Sequence, residues 1–266
     1  MKKLAGIIAA VALTAVATMA FANSNPATGV NGSMHDMNVK YPGNKDAMQR
    51  VCVFCHTPHN ANMGGVAAGE YPLWNHTLPP TTGWTSYVWA TPLNSTLNQD
   101  PMVGPSRLCM SCHDGVIAPD QHLGSNGANS AQAGTGPLTG FKAIGLLGGV
   151  AGTPYDLTDD HPIGFNYDDA VLARNVNGAV ELATKAQLFA TAEGTSNTAG
   201  TYNAPTRAGK RAIQDVLFGG SIMTCASCHE VHNKDNVPPS VGPAGANYLL
   251  WADEKASLIC LSCHVK

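Results

Sequence analysis

Cys52-Val53-Phe54-Cys55-His56-Thr57-Pro58-His59 holds the first of four segments in this chain that spell Cys-x-x-Cys-His. The others are Cys109 to His113, Cys225 to His229 and Cys260 to His264, and together they use all eight cysteines. This spacing is the attachment signature of c-type haem. Two thiols add across the haem vinyl groups, and the imidazole that follows reaches the iron. A single copy would be ambiguous, because two cysteines and a histidine also suit zinc or a redox dithiol. Histidine is only 10 of 266 residues, so its chance appearance behind all four pairs is an event of roughly one in a million. Zinc ribbons pair one Cys-x-x-Cys with another and need no trailing His on every pair. A disulfide framework would not hold every cysteine at one spacing. The implied cofactor is four covalently attached haems c on Cys52/Cys55, Cys109/Cys112, Cys225/Cys228 and Cys260/Cys263, and the implied work is electron transfer.

The ends and the composition fit that reading. Residues 1–22 have a basic start (Lys2, Lys3), an apolar run from Leu4 to Phe21, and Ala20-Phe21-Ala22 before Asn23. They read as a secretory signal peptide, leaving residues 23–266 as one exported domain. Removing Lys2 and Lys3 leaves 13 basic against 18 acidic residues, a net charge of −5. A nucleic-acid partner is not expected, since a phosphate backbone requires a basic stripe. No later stretch is long and apolar enough for a transmembrane segment. Only 12% of residues are charged and 6% aromatic, while Gly and Pro total 45. Such a chain has little with which to build an ordinary core. The expected fold is mostly irregular coil with short α-helices and little β, organised around the haems. Gly124 to Gly152 reads as a Gly/Ala/Ser-rich loop. Trp251 to His264 and Tyr167 to Ala190 are candidate short helices, the latter broken near Asn175 to Gly178, and Arg211 to Phe218 is a candidate strand.

The proximal iron ligands follow from the motifs: His56, His113, His229 and His264. Six histidines remain, enough for a second imidazole on every iron. Each half of the chain offers an upstream His, a motif with a trailing His, and a plain motif. His59 and His232 lie three residues beyond a proximal ligand and point away from their own iron toward a neighbouring one. His59 is therefore assigned to the Cys109/Cys112 haem and His232 to the Cys260/Cys263 haem. His161 is assigned to the Cys225/Cys228 haem and His35 to the Cys52/Cys55 haem, with His76 the alternative to His35. His122, in polar chain, reads as solvated or bound to a haem propionate. A methionine such as Met63 or Met102 would raise the potential and ranks below the spare imidazoles. Arg50, Arg107, Arg211 and Lys255 are candidates to neutralise haem propionates.

The segments 52–59, Pro72-Leu73-Trp74-Asn75, Cys112-His113-Asp114-Gly115, His161-Pro162-Ile163-Gly164-Phe165 and 225–233 resemble those of multihaem c-type cytochromes of metal-reducing bacteria. Within that group, the length, leader and four motifs are similar to the extracellular tetrahaem nanowire cytochromes of the OmcE type. The resemblance implies a multihaem cytochrome c fold with close-packed bis-histidine haems and a secreted, cell-surface or extracellular location. It also implies assembly with itself into a head-to-tail filament, one iron taking a histidine from the adjacent subunit. By analogy that role falls to His35 first and His76 second. Expected partners are other electron-transfer cytochromes and extracellular acceptors such as metal oxides or electrodes; the chain is expected to be a carrier, not an enzyme. A monomeric periplasmic shuttle and a multihaem reductase are the alternatives. Chain made without haem attachment should give the far-ultraviolet circular dichroism of a largely unfolded protein, whereas haem-loaded chain should not; a native-like spectrum without haem would show that the polypeptide folds alone.

Overall fold

The computed structural model describes residues 29–41, 45–46, 48–59, 61, 73–89, 97–119, 137–187, 212–232, 248–252 and 257–265. The leader, His122, Met63, Arg211, Lys255 and residues 124–136 of the expected loop lie outside them. The described chain is mostly coil with a few short helices and no sheet; strand pairing is limited to isolated bridges. No helix of the described residues is long and apolar enough to cross a membrane.

Four α-helices can be named: α1 Met37–Lys40, α2 Pro105–His113, α3 Tyr167–Arg174 and α4 Leu258–Leu261. Each has a local cause. Helix α1 starts on Asp36, whose carboxylate accepts the Asn38 N–H, a standard N-cap. Helix α2 has Pro at its first position, where a missing N–H costs nothing. Helix α3 is capped by the Asn166 side chain, with Asp168 and Asp169 in its first turn and Arg174 in its last. Those charges complement the helix dipole. It ends at Asn175, whose Oδ1 accepts the N–H groups of Glu181 and Leu182 while its Nδ2 donates to the Leu182 carbonyl. Asn175 thereby turns the chain back and sets the position of Leu182.

The described residues 212–218 do not form the expected strand. Within the described part, Ile213–Asp215 forms a 3-10 turn, closed by the Asp215 carboxylate accepting the Ala212 N–H at 2.8 Å. The buried positions are Ala212, Ile213, Val216 and Leu217, a helical spacing rather than an alternating one. The described part of the expected loop is likewise structured, with 3-10 turns at Gly140–Lys142 and Leu147–Gly149.

Apolar packing is concentrated in the C-terminal half. Phe165, Tyr167, Leu182, Ile213, Leu217, Met223 and Leu258 belong to one buried cluster, against which Trp89, Trp251 and Cys263 pack. A smaller cluster joins Met102, Met110 and Leu157, so Met102 is a core residue. Gly164 links the two regions. Its φ is +78°, and a Cβ there would run into the Asp100 carbonyl and Pro101 nitrogen, so only glycine fits.

The N-terminal arm has almost no apolar core and is held by polar contacts. Asn38 accepts the Asp46 N–H at 2.8 Å. The Asp46 carboxylate accepts from the N–H groups of Met48 and Arg50 and from the Arg50 guanidinium at 3.1 and 2.8 Å. Arg50 is thus engaged by Asp46. These bonds hold the Asp46 carboxyl below its ordinary pKa, the Arg50 side-chain bond being the main cause and burial opposing it. A lowered folded pKa stabilises the ionised form, so this stability exists above the unfolded value and is lost as pH falls through the folded one. Hydrogen-exchange protection of residues 29–50 should hold down to about pH 4 and fall in stronger acid. Asp46→Ala should remove it at neutral pH, costing the arm about 1–3 kcal/mol.

Candidate functional site

The four motifs share one backbone form. The first cysteine's carbonyl accepts the N–H of the second cysteine and of the histidine: 3.1 and 2.8 Å at Cys52, 3.3 and 3.1 Å at Cys225, 3.1 and 2.9 Å at Cys260. The second motif lies within α2. Each motif is therefore one helical turn, and residues three and four apart in a helix share a face. Two thiols and an imidazole are delivered together. None of the eight cysteines is paired in a disulfide.

A second device was not legible in the sequence. Three motif histidines are each clamped by an antiparallel bridge to a distant residue: His56 to Trp74, His229 to Leu250 and His264 to Leu182. The hydrogen bonds repeat. Asn75, Trp251 and Ala183 donate to the carbonyls of Cys55, Cys228 and Cys263 at 2.8, 2.9 and 2.8 Å, while Thr57, Glu230 and Val265 donate back to Leu73, Leu249 and Glu181. Leu73 and Leu249 occupy the same place in two clamps, and both have positive φ, +53° and +57°. That conformation is costly for a leucine and shows how closely the two clamps correspond. At the second motif, Gly145 donates to the His113 carbonyl at 3.0 Å.

The side chains of the proximal residues are also fixed. His113 Nδ1 lies 2.6 Å from the Lys142 carbonyl and His229 Nδ1 lies 2.7 Å from the Tyr248 carbonyl. A carbonyl only accepts, so Nδ1 carries the proton and Nε2 keeps its lone pair, the arrangement a metal-binding imidazole requires. His161 Nδ1 donates likewise to the Pro162 carbonyl at 3.0 Å. Burial lowers the pKa of His113, His161 and His229. It takes His35 down to about 4, with the neighbouring His113 the next cause. These imidazoles are held neutral.

Histidines then face one another in pairs. Ring centroids are 6.2 Å apart for His35 and His113, 6.4 Å for His56 and His232, and 6.3 Å for His161 and His264, with planes at 76°, 12° and 81°. Attraction between rings would give a spacing that changes with angle. One spacing at three angles fits a shared atom between them. With metal–nitrogen bonds of about 2 Å and each ring centre roughly 1 Å behind its nitrogen, centroids stand about 6 Å apart. Among the described residues no three His, Cys, Asp or Glu side chains converge on one metal position. The donors come as opposed pairs, which leaves the plane between them for a ligand bringing its own donors. These residues fit a haem, whose iron takes four ring nitrogens and two axial ligands.

The pairing differs from the sequence-based assignment. His232 faces His56, not the Cys260/Cys263 site; His161 faces His264, not His229; His35 faces His113, not His56. The sequence shows that a trailing histidine leaves its own site, while long-range packing decides which site it meets. His59 is exposed, its backbone turn closed by the Thr57 hydroxyl, and His229 is in ring contact with no other imidazole among the described residues. His76 is buried. Its Nε2 donates to the Pro119 carbonyl at 2.9 Å and lies 3.7 Å from Cys112 Sγ. Arg107 Nε donates to the Pro79 carbonyl at 3.0 Å.

The motifs also follow one another in space. Cys112 feels the charge of Cys55, Cys109 is hydrogen-bonded to Cys225, and Cys228 feels Cys263 and Cys260. The Cys109 thiol donates to the Cys225 sulfur, which pushes the Cys109 pKa up and holds that of Cys225 down. The Cys225 N–H also binds Ser106 Oγ at 3.2 Å, tying the third motif to α2. First, second, third and fourth motif form a continuous series.

No protein-family model matches the chain, and a search of curated proteins finds no match. Gly145 tests the support of His113. A Cβ at this position would sit 2.7 Å from the Asp114 Cα, a contact that forces the two segments apart. Gly145→Ala should destabilise the protein by about 1–3 kcal/mol in thermal unfolding and loosen the Lys142 carbonyl from His113, seen as a changed spectrum of a single site rather than of all four.

Proposed function

We propose that the chain is a tetrahaem c-type cytochrome that carries electrons by hopping from haem to haem. The observation that carries this reading is the common 6.2–6.4 Å spacing of three imidazole pairs, each containing one histidine of a Cys-x-x-Cys-His turn. Haem supplies the one-electron chemistry; the protein supplies attachment, axial ligands and distance. The spatial series of motif cysteines supports transfer along one line. His56 with His232, His113 with His35, and His264 with His161 are the ligand pairs of three haems, and His229 is the proximal ligand of the fourth.

The resemblance extends the proposal to an extracellular filament built by a head-to-tail interface that does not close. His35 already faces His113 of its own chain. His59, exposed, is better placed than His35 or His76 to complete the His229 site of a neighbouring copy. The monomeric shuttle differs only in lacking that contact. A second reading has one observation in its favour: His229 meets no imidazole among the described residues, as an open iron of a multihaem reductase would require.

Purified holoprotein discriminates these readings. Its mass should exceed that of the processed chain by four haems, and a colourless protein of unmodified mass would end the proposal. The absorption and electron paramagnetic resonance (EPR) spectra of the filament should be wholly low-spin, with a high-spin haem favouring the reductase. His59→Ala should keep four haems and lose filaments in electron micrographs; filaments formed normally by that variant would exclude His59 as the linking ligand.

A further inference from the structure

The three imidazole pairs are not equivalent. His56 and His232 lie with planes 12° apart, whereas the His35/His113 and His161/His264 planes cross at 76° and 81°. Each plane is set by the protein. Trp74 stands edge-on to His56 at 5.7 Å and 87°, in addition to the backbone clamp. His232 is held by Glu230, whose carboxylate oxygen accepts the His232 N–H at 2.8 Å and lies 3.3 Å from its Nδ1. His113 and His161 are held by the Lys142 and Pro162 carbonyls.

Ring orientation has an electronic consequence. An imidazole donates π density perpendicular to its plane. Two parallel rings raise the same iron d orbital, and the hole of low-spin ferric iron settles there. Oxidised iron is stabilised and the d levels are well split. Two crossed rings raise two orbitals alike, so the levels stay nearly degenerate and that extra stabilisation is missing. Two further features act in the same direction at the parallel pair. A carboxylate on Nδ1 makes His232 a stronger donor than a carbonyl would. The His232 side chain is also 66% exposed, and water at an axial ligand favours the more charged ferric state.

Building on the proposed haem ligation, we propose that the haem held between His56 and His232 is electronically distinct and has the lowest reduction potential of the three haems whose ligand pairs the chain brings together. Parallel rings and a carboxylate-bound ligand coincide there and at neither other pair, while solvent exposure is shared with His161.

The test uses full-length haem-loaded protein. Low-temperature EPR of the oxidised form should show a rhombic spectrum with three resolved g values, together with strongly anisotropic low-field signals from the crossed pairs. His232→Met should remove one haem's worth of rhombic intensity and leave the low-field signals. In a spectroelectrochemical titration the lowest midpoint should shift upward in that variant. Glu230→Gln, which keeps a hydrogen-bonding side chain, should retain the rhombic signal and also raise the lowest midpoint, a change that a purely structural role would not confine to one haem. Unchanged rhombic intensity in His232→Met, or a Glu230→Gln shift in any midpoint but the lowest, would overturn the inference while leaving the cytochrome reading intact. Absence of any low-spin ferric signal from the wild type would instead overturn the cytochrome reading itself.

Discussion

Two imidazoles about 6.3 Å apart, facing each other from distant parts of the chain, are the constraint to which the rest of this structure answers. That separation recurs at three pairs whose planes cross at 12°, 76° and 81°, a constancy that ring packing, which depends on angle, does not by itself produce. Fixing it requires both rings to be held independently. The proximal ring is held by a helical turn, by a backbone clamp or the Gly145 contact, and at His113 and His229 by a carbonyl on Nδ1. The opposing ring is held by local devices: the Ser33 hydroxyl accepting the His35 backbone N–H, the Pro162 carbonyl at His161 and Glu230 at His232. None of these contacts is strong alone, since a hydrogen bond contributes about 1 kcal/mol net. Their common effect is positional.

Such an arrangement explains how a chain rich in Gly and Pro defines a structure with so few helices. The apolar cluster around Tyr167, Ile213 and Leu258 anchors the C-terminal half. It also buries the segments that present Leu182 to His264 and Ala252 beside the Leu250 clamp. Among the described residues, Met102 and Met110 pack with Leu157 in a smaller cluster, and the N-terminal arm is polar. There the tethered cofactors of the proposed reading would supply the missing apolar volume, and the ordering of that arm would depend on them.

Sequence and structure agree where the information is local. The Cys-x-x-Cys-His turn is legible because positions i, i+3 and i+4 share a helical face, and the end of α3 is legible in Asn175 to Gly178. Helix α2 was missed although Gly104-Pro105 is a recognisable start signal. The strand expected at 211–218 fails because the buried residues Ile213, Val216 and Leu217 recur at helical spacing around a 3-10 turn. The clamps were illegible for a different reason. Leu182 and His264 are far apart in the chain, and nothing in the composition around Leu182 distinguishes it from an ordinary apolar residue. The histidine pairings failed for the same cause: a trailing His leaves its own site by local geometry, but its destination is set by how the halves pack.

The inequivalence of the pairs bears on direction. The cysteines of each motif lie beside those of the next, and His232, just past the third motif, faces His56 of the first. The parallel, carboxylate-supported pair belongs to the first motif, and a crossed pair belongs to the fourth. With four haems at equal potential, an electron would diffuse along the line without preference. Under the proposed ordering, one placed at the His56/His232 haem moves to more positive potential as it leaves, and return to that haem is the uphill step. Ring orientation, fixed by residues as ordinary as Trp74 and Glu230, would then give a chain of otherwise similar cofactors a preferred sense of flow.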